Sequence, residues 1–432
     1  MFYPFLAFYL SSRTWFVPDE IYQSIELAHS LTFGYGEVVW EYTDHIRSGL
    51  WYGSFQAYFG ILFYLNADYL FMLNDVPALL MAFLVNHTLQ KSMQKFGKYK
   101  WLVKYHWIHY FMMPRPLVNT LEYVLYTLAL NTEYFYFFVV LSCVVRPTMG
   151  IFYIPIAIQS VFNNPESLYK WVKYSICGLA ISIGIDSIYY GKLTSSISNF
   201  LIFNVVQGHS EYYGVHSPFW YFTSAIPTLL GPSLPYFMLG LPHISKSHLF
   251  IILIPLLFFS LLKHKEFRFI YPIMDHLLFV AKQGAMSFHN SYLKRFVILT
   301  NFTLICLFAF IHQRGVYTTM NYLRTVDIDS VVILAPCYSF PGISYLHKDI
   351  PLKTLSCLPP HYLNGKLPEQ DIFYENPKQE TIKLIQQYRP SHIIKFQVLN
   401  VDLIGYHLNQ SFFNSFFHDD MRRQGNIEIY TK

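Results

Sequence analysis

Charge is what this chain has least of: Asp, Glu, Lys and Arg make up 13% of its 432 residues, against about a quarter in soluble globular domains. That scarcity excludes an ordinary soluble enzyme. With 53% hydrophobic and 19% aromatic residues, the chain reads as a polytopic α-helical membrane protein. The net charge of +5 is small, and no Lys/Arg stripe interleaves with exposed aromatics, so nucleic acid has no electrostatic footprint here. Cysteine is sparse too. Cys143, Cys177, Cys306, Cys337 and Cys357 form no CxxC pair and no zinc-ligand spacing, so no metal site is expected. Cys337 and Cys357 alone fall in the tail, where a disulfide and a pair of free buried thiols both fit. The opening MFYPFLAFYL lacks a basic n-region and a small-residue cleavage site, so it reads as a retained span. At residues 1–15 that span is shorter than the ~17 residues a crossing helix needs. A tilted helix, a thin bilayer or a missing N-terminal extension would each account for it.

Apolar spans lie at 1–15, 69–90, 101–113, 117–131, 133–145, 148–162, 174–190, 221–241, 248–262, 267–285 and 296–311. Lys91, Lys95, Lys98, Lys100 and Lys104 cluster between the second and third, which places that loop in the cytosol. Alternation then puts Lys170, Lys173, Lys246, Lys294 and Arg295 on the cytosolic side as well. It leaves residues 16–68, 191–220 and 312–432 on the luminal side, giving eleven crossings. One basic cluster, Lys263, His264, Lys265 and Arg268, falls on the wrong side. Either it is kept there for a purpose or a short span is misplaced. Trp51 to Asn66, interrupted by Gly53 and Gly60, fits an interfacial helix. The tail changes character: VVILAP (331–336) and SHIIKF (391–396) predict strands and KQETIKLIQQY (378–388) a helix, so residues 312–432 read as a small α/β luminal domain behind a membrane domain of residues 1–311. Of the sequons at Asn86, Asn301 and Asn409, only Asn409 lies outside a span and can carry a glycan.

Against this apolar background, Phe16 to Ser48 stands out. It gathers Asp19, Glu20, Glu26, His29, Glu37, Glu41, Asp44, His45 and Arg47. Asp19 and Glu20 follow Pro18 at the membrane surface, where like-charge repulsion and desolvation can raise one carboxyl into the range of a general base. Neighbouring side chains can also diverge, one to a site and one to a structural arginine such as Arg47. Glu26 and His29, three apart on a helix, can hold a sugar hydroxyl or satisfy each other. Residues 203–222 combine Asn204, Gln207, His209, Glu211 and His216 with aromatics. Such a set suits carbohydrate, and an aromatic membrane belt has the same composition. HKEFRF (264–269) offers His264, Lys265 and Arg268 to a phosphate at the bilayer surface. Glu122 and Asp186 are acids inside apolar spans, where the default reading is functional.

The stretch PDEIYQSIELAHSLTFGYGEVVWEYTDHIRS resembles the first luminal loop of the GPI mannosyltransferases of the endoplasmic reticulum, in glycosyltransferase family 22 of the GT-C superfamily, with Tyr42 in place of the usual Trp. RPLVNTLE, RPT at 146–148 and HKEFRFIYP resemble further family segments. DSIYYGKLTSSISNFLIFNVVQGHSEYYGVHSPFWYF, APCYSFPGISYLH, CLPP, DIFYENP and HDDMRRQG resemble the branch that adds the third mannose. The chain departs from the pattern at its short N-terminus and between the second and third spans.

The resemblance implies a GT-C fold of about eleven transmembrane helices. It also implies an inverting α-1,2-mannosyltransfer from dolichyl-phosphate-mannose, a substrate and not a cofactor, to a lipid-linked GPI precursor. Asp19 is then the expected base with Glu20 as partner or alternate. Arg47, His264, Lys265 and Arg268 are expected at the donor phosphate, and Glu26, His29, Asn204, Gln207, His209 and His216 at the acceptor sugar. Within the family, a dolichol-linked N-glycan mannosyltransferase and the fourth-mannose enzyme are alternatives. A polytopic lipid transporter or scramblase is the alternative of another class, against which stand the absence of a repeat and the gathering of polar groups on one side. Partner subunits leave no mark in the sequence.

Overall fold

A computed structural model describes residues 13–432, so the span expected over 1–15 lies outside the described residues up to residue 12. Helices occupy the chain from Ile21 to Thr325, and a five-stranded sheet with flanking helices follows. Among the described residues, three helical segments are long and apolar enough to cross a membrane, Phe71–Tyr99, Ser167–Tyr190 and Ser291–Thr325. Shorter apolar helices run over Phe135–Val145, Met149–Asn163 and Lys246–Leu261.

Several apolar runs that read as single spans are broken. The run 101–113 divides at His106 into Trp101–Lys104 and Trp107–Met112. The run 221–241 passes from a π-helical stretch, Tyr221–Ala225, through Ile226–Leu230 and a 3-10 turn, Gly231–Ser233, into Leu234–Gly240. Pro227, Pro232 and Pro235 explain that fragmentation, since each removes a backbone donor and clashes with the preceding turn. Ser48 caps the helix Gly49–Tyr64, its hydroxyl accepting from the Leu50 N–H at 3.2 Å. This helix covers the segment expected to lie at the interface.

The sheet has the order β2-β1-β3-β5-β4, from β1 (Val331–Leu334), β2 (Leu352–Thr354), β3 (His392–Phe396), β4 (His407–Phe412) and β5 (Ile427–Thr431). β1 is parallel to β2 and β3, whereas β5 is antiparallel to β3 and β4. Strand alternation sends alternate residues to opposite faces. Val331 and Ile333 join a core with Tyr22, Ile25 and Leu27 of the first loop, while Val332 and Leu334 pack with Phe373 and Leu384 of the helices behind. The sheet is therefore fastened to the acid-rich loop by one of its faces. A second, larger core binds the helices from Trp101 to Tyr126 to those from Tyr221 to Ala285. Cys337 and Cys357 are joined by a disulfide. Asn409 is exposed on the edge strand β4, with its amide on Thr431 Oγ1 at 3.4 Å.

Candidate active site

Pro18 opens the first helical turn, its carbonyl accepting from Ile21 and Tyr22 at 3.0 and 2.9 Å. Asp19 and Glu20 sit in that turn, where the helix dipole favours acids. Consecutive helical residues project about 100° apart, so the two carboxylates leave the helix in different directions. Asp19 faces a cavity and pairs with Arg268 at 2.9 Å. Glu20 turns inward to Arg115 at 2.6 Å, with both side chains less than 8% exposed. The expectation that Glu20 partners Asp19 in catalysis is therefore corrected: Glu20 neutralises an arginine that also donates to the Thr14 carbonyl, on the far side of the helix from the cavity. From Ile21 to Glu26 the helix widens to π geometry, with Gln23 off helical dihedrals at φ −93°, ψ 16°, a distortion frequent at functional sites.

The cavity measures about 490 Å³ and is walled by segments far apart in the chain. Asp19, Gln23, Trp40, Glu41 and Arg47 come from the first loop, Arg146 and Thr148 from the second Arg-Pro turn, Asn204, Tyr213 and His216 from 200–216, and His264, Lys265, Glu266, Arg268 and Phe269 from the basic cluster. Phe200, Leu201, Phe258, Phe259 and Leu262 make an apolar side suited to a lipid chain. Because Arg268 pairs with Asp19, the basic cluster meets the first loop at this cavity.

Arg268 is held by Glu266 through two bonds of 2.6 Å. Burial pushes the Glu266 carboxyl up, but Arg268 and His264 pull it below the ordinary carboxylate range, so it stays an anion. His264 bonds Glu266 at 3.2 Å and the Gly214 carbonyl at 3.2 Å. Lys265 borders the cavity, yet its ammonium donates to the carbonyls of His216, at 3.2 Å, and Leu262. It ties the 203–222 loop to the basic cluster.

Two groups carry more of this site than the sequence reading assigned to them. Arg146 precedes Pro147, is extended at φ −151°, and reaches the cavity with Glu122 behind it at 3.4 Å. The Asn119 amide steadies Glu122 at 2.7 Å. Glu122 is thus the counter-ion of a cavity arginine. Glu41 accepts from the Gln23 amide at 2.9 Å and lies 3.9 Å from Arg47. Burial raises it to about 6, against the pull of Arg47 and with a further push from Asp19. The repeated Arg-Pro pairs and the WE dipeptide were visible signals, but nothing local in the sequence shows which acid each arginine meets.

The profile of the Alg9-like mannosyltransferase family matches residues 1–347. The chain belongs to that family. It is a membrane mannosyltransferase by that membership. It is 30% identical to the GPI alpha-1,2-mannosyltransferase 3 of Homo sapiens over 97% of its own length and 84% of that protein's. It is likewise 30% identical to the GPI mannosyltransferase 3 of Yarrowia lipolytica, over 98% and 94% of the two chains. Among solved structures, ArnT from Cupriavidus metallidurans, bound to undecaprenyl phosphate, superposes with a TM-score of 0.57 over 99% of this chain and 97% of that one, at 8% identity. That likeness shows a shared GT-C fold.

Not every residue expected at the mannosyltransferase site is there. Asn204 and His216 line the cavity, with His216 stacked on Trp220 at 4.6 Å. Gln207 and His209 do not line it, although His209 rests on Phe203, which does, at 5.1 Å. Glu26, fully buried, accepts from the backbone N–H groups of Glu37, Ile343 and Ser344 at 3.1, 3.2 and 2.9 Å. It bolts the first loop to the segment after β1. Gly342 lies directly against that carboxylate, and a Cβ there would occupy its place. His29 bonds His347 at 2.8 Å and the Tyr35 carbonyl at 3.2 Å. Burial, with His347 beside it, pushes His29 down to about 4 and keeps it neutral. Both residues were expected at the acceptor sugar; both are internal fasteners, because a helix face that meets the sheet cannot also meet substrate. Asp186 likewise accepts from the backbone N–H groups of Gly49 and Ser196 at 2.9 and 2.8 Å, and from the Ser196 hydroxyl at 2.6 Å. It anchors the starts of two helices and does not line the cavity.

Proposed function

We propose that this mannosyltransferase transfers the third mannose of a GPI anchor from dolichyl-phosphate-mannose to the dimannosylated GPI precursor, forming an α-1,2 bond. The observation that carries the reading is the 30% identity, over nearly the whole of both chains, to proteins named for that step. The cavity's chemistry supports it. A donor joined through a β-phosphate gives an α product by one inversion, so one base and no covalent intermediate are needed. The acceptor 2-hydroxyl oxygen attacks C1 of the donor mannose, and Asp19 takes its proton. The C1–O bond to phosphate breaks, and its electron pair leaves with dolichyl phosphate. Arg268, Arg146 and Arg47, with His264 beside them, stabilise the charge the phosphate gains, and fixed arginine cations in a partly desolvated cavity do this well. The apolar wall of Phe258, Phe259 and Leu262 receives the first units of the polyprenyl chain.

Eleven crossings, with the cavity and the sheet on the luminal side of the endoplasmic reticulum membrane, suit two lipid substrates whose headgroups meet without leaving the bilayer. The test is reconstitution of the full chain with dolichyl-phosphate-mannose and a dimannosyl GPI precursor. A trimannosyl product whose new mannose is released by an α-1,2-mannosidase is expected. Mannosylation of a dolichol-linked N-glycan precursor instead, or lipid movement without transfer, overturns the proposal.

A further inference from the structure

The segment from Leu355 to Tyr362 leaves the sheet and reaches back to the rim of the cavity. Its root is fixed three ways: the Ser356 N–H donates to Glu369 at 2.9 Å, Cys357 is bonded to Cys337, and the Cys337 N–H donates to Gln370 at 2.8 Å. Its tip rests on the first loop. Leu358 packs against Trp40, Ile46 and Phe203. His361 bonds one Asp44 oxygen at 3.1 Å, and the Tyr362 hydroxyl donates to the other. The His361 ring stacks on His209 at 5.4 Å and meets Phe203 edge-on at 5.8 Å. Trp40 and Phe203, which this strap touches, are themselves cavity walls, and Trp40 lies parallel to Tyr213, a third wall, at 6.2 Å.

This part of the rim differs chemically from the wall of Arg268 and Arg146. It presents ring faces and edges beside the Asp44 carboxylate, the His361 imidazole and the Tyr362 phenol. A phosphate would want cations, and a lipid tail would want no hydrogen-bonding groups. A neutral sugar wants this mixture: its C–H faces lie on rings, and its hydroxyls need partners that donate and accept. His361 and Asp44 keep 33% and 26% of their side chains exposed, so the polar tips are open to a ligand at the mouth. The strap also lies beyond residue 347, where the match to the family as a whole ends, while the GPI-named relatives match over nearly the full chain. A segment outside the shared part is suited to telling one acceptor from another.

We propose that the disulfide-rooted strap completes an acceptor-glycan subsite, in which His361, Tyr362 and Asp44 hold the neutral sugar next to the one that is mannosylated. The inference rests on the transfer reaction proposed above and adds a determinant of acceptor choice. Asp44 is the pivot. Its bonds to His361 and Tyr362 hold the strap over the cavity mouth, and a sugar hydroxyl entering between them exchanges for one of these bonds.

The test uses the full-length protein in lipid nanodiscs with dolichyl-phosphate-mannose and two soluble probes, an alkyl α-mannobioside and the matching alkyl α-mannoside. His361→Ala and Asp44→Asn are expected to raise the KM for the mannobioside about tenfold, the size of a lost stacking contact and hydrogen bond. The donor KM and kcat should stay near those of the unmodified protein, and the preference for the mannobioside over the mannoside should shrink. Tyr362→Phe, which removes one hydroxyl, is expected to shift the same KM severalfold and keeps the test readable if His361→Ala does not fold. A fall in kcat with unchanged acceptor KM would make the strap a mere brace and overturn the subsite. A rise in donor KM would overturn it in favour of a phosphate role. If the unmodified protein mannosylates neither probe, the transfer reaction itself is overturned along with the subsite.

Discussion

The acids of the first loop fall into two regions that composition alone does not separate. Around the cavity, Asp19 and Glu41 each have one oriented partner, Arg268 at 2.9 Å and Gln23 at 2.9 Å, and each keeps an open face. At the seams, Glu20 is closed off by Arg115, and Glu26 by backbone N–H groups of Glu37, Ile343 and Ser344. The difference lies in the partner. An acid left beside a cavity can accept a proton from a substrate, whereas an acid whose oxygens already hold an arginine or several backbone donors is part of the frame. Asp19 and Glu20 teach this most sharply, being neighbours in sequence yet committed to opposite regions.

Exchanging an acid for its neutral counterpart separates the regions by readout. The largest effect is expected at Asp19. Asp19→Asn should lower kcat about 10²- to 10⁴-fold, the usual worth of a positioned base, with thermal stability in detergent close to that of the unmodified protein. Substantial retained transfer in a dolichyl-phosphate-mannose assay would move the base elsewhere; of the other two carboxylates on the cavity, Glu266 is held by Arg268 through two bonds, which leaves Glu41. Glu20→Ala should do the reverse. It strands Arg115 in a buried site, at about 3 to 5 kcal/mol, so folded protein and melting temperature fall first. A stable Glu20→Ala protein without activity would return Glu20 to the catalytic region. Glu26→Ala leaves the N–H groups of Glu37, Ile343 and Ser344 without their acceptor, each worth about 1 to 3 kcal/mol when unsatisfied. Loosening of the sheet from the first loop, read as faster hydrogen exchange at Ile343 and Ser344, is the expected result, and unchanged exchange there would contradict the fastening role.

The same division explains what the sequence disclosed. The acid-rich loop, the basic cluster on its side and the strands at β1 and β3 were readable, because each is a local departure from an apolar background. β4 was not, since HLNQSF is an exposed edge strand with no apolar alternation to announce it. Nor was the direction of each acid. Glu26 and His29 have the composition of a sugar site and the right helical spacing. Their partners, Ser344 and His347, stand about 318 residues away in the chain. Helical periodicity fixes which residues share a face, but only the fold decides whether that face meets a cavity or a sheet. Arg146 shows the converse. Its Arg-Pro pair was noticed as a pattern, yet its place in the wall depends on Glu122 and on a helix break that brings 146 to 148 beside Asp19's cavity.

Glu41 lies on the boundary between the regions, and its titration is the finest test of the division. Burial raises it from the usual 4.5 to about 6. A carboxyl whose folded pKa is raised binds its proton more tightly in the folded state. Its stabilising contribution is therefore fully present below pH 4.5 and is lost as pH rises through about 6. The loss amounts to roughly 2 kcal/mol at one pKa unit per 1.36 kcal/mol. Glu41→Gln removes the titrating group while keeping an amide in its place, so the difference in stability between this variant and the unmodified protein should grow between pH 4.5 and 6 and be constant above about 7. Melting curves in buffered detergent at half-unit steps would read it. A difference that is flat across that window would mean Glu41 is already held as an anion by Arg47, and would move it to the frame beside Glu20. A difference that grows as expected leaves a carboxyl near half ionisation at pH 6, 2.9 Å from Gln23 on the helical face that also carries Asp19. The pH profile of kcat should then lose its limb near pH 6 in Glu41→Gln, and a limb that persists unchanged in this variant would assign it to another group.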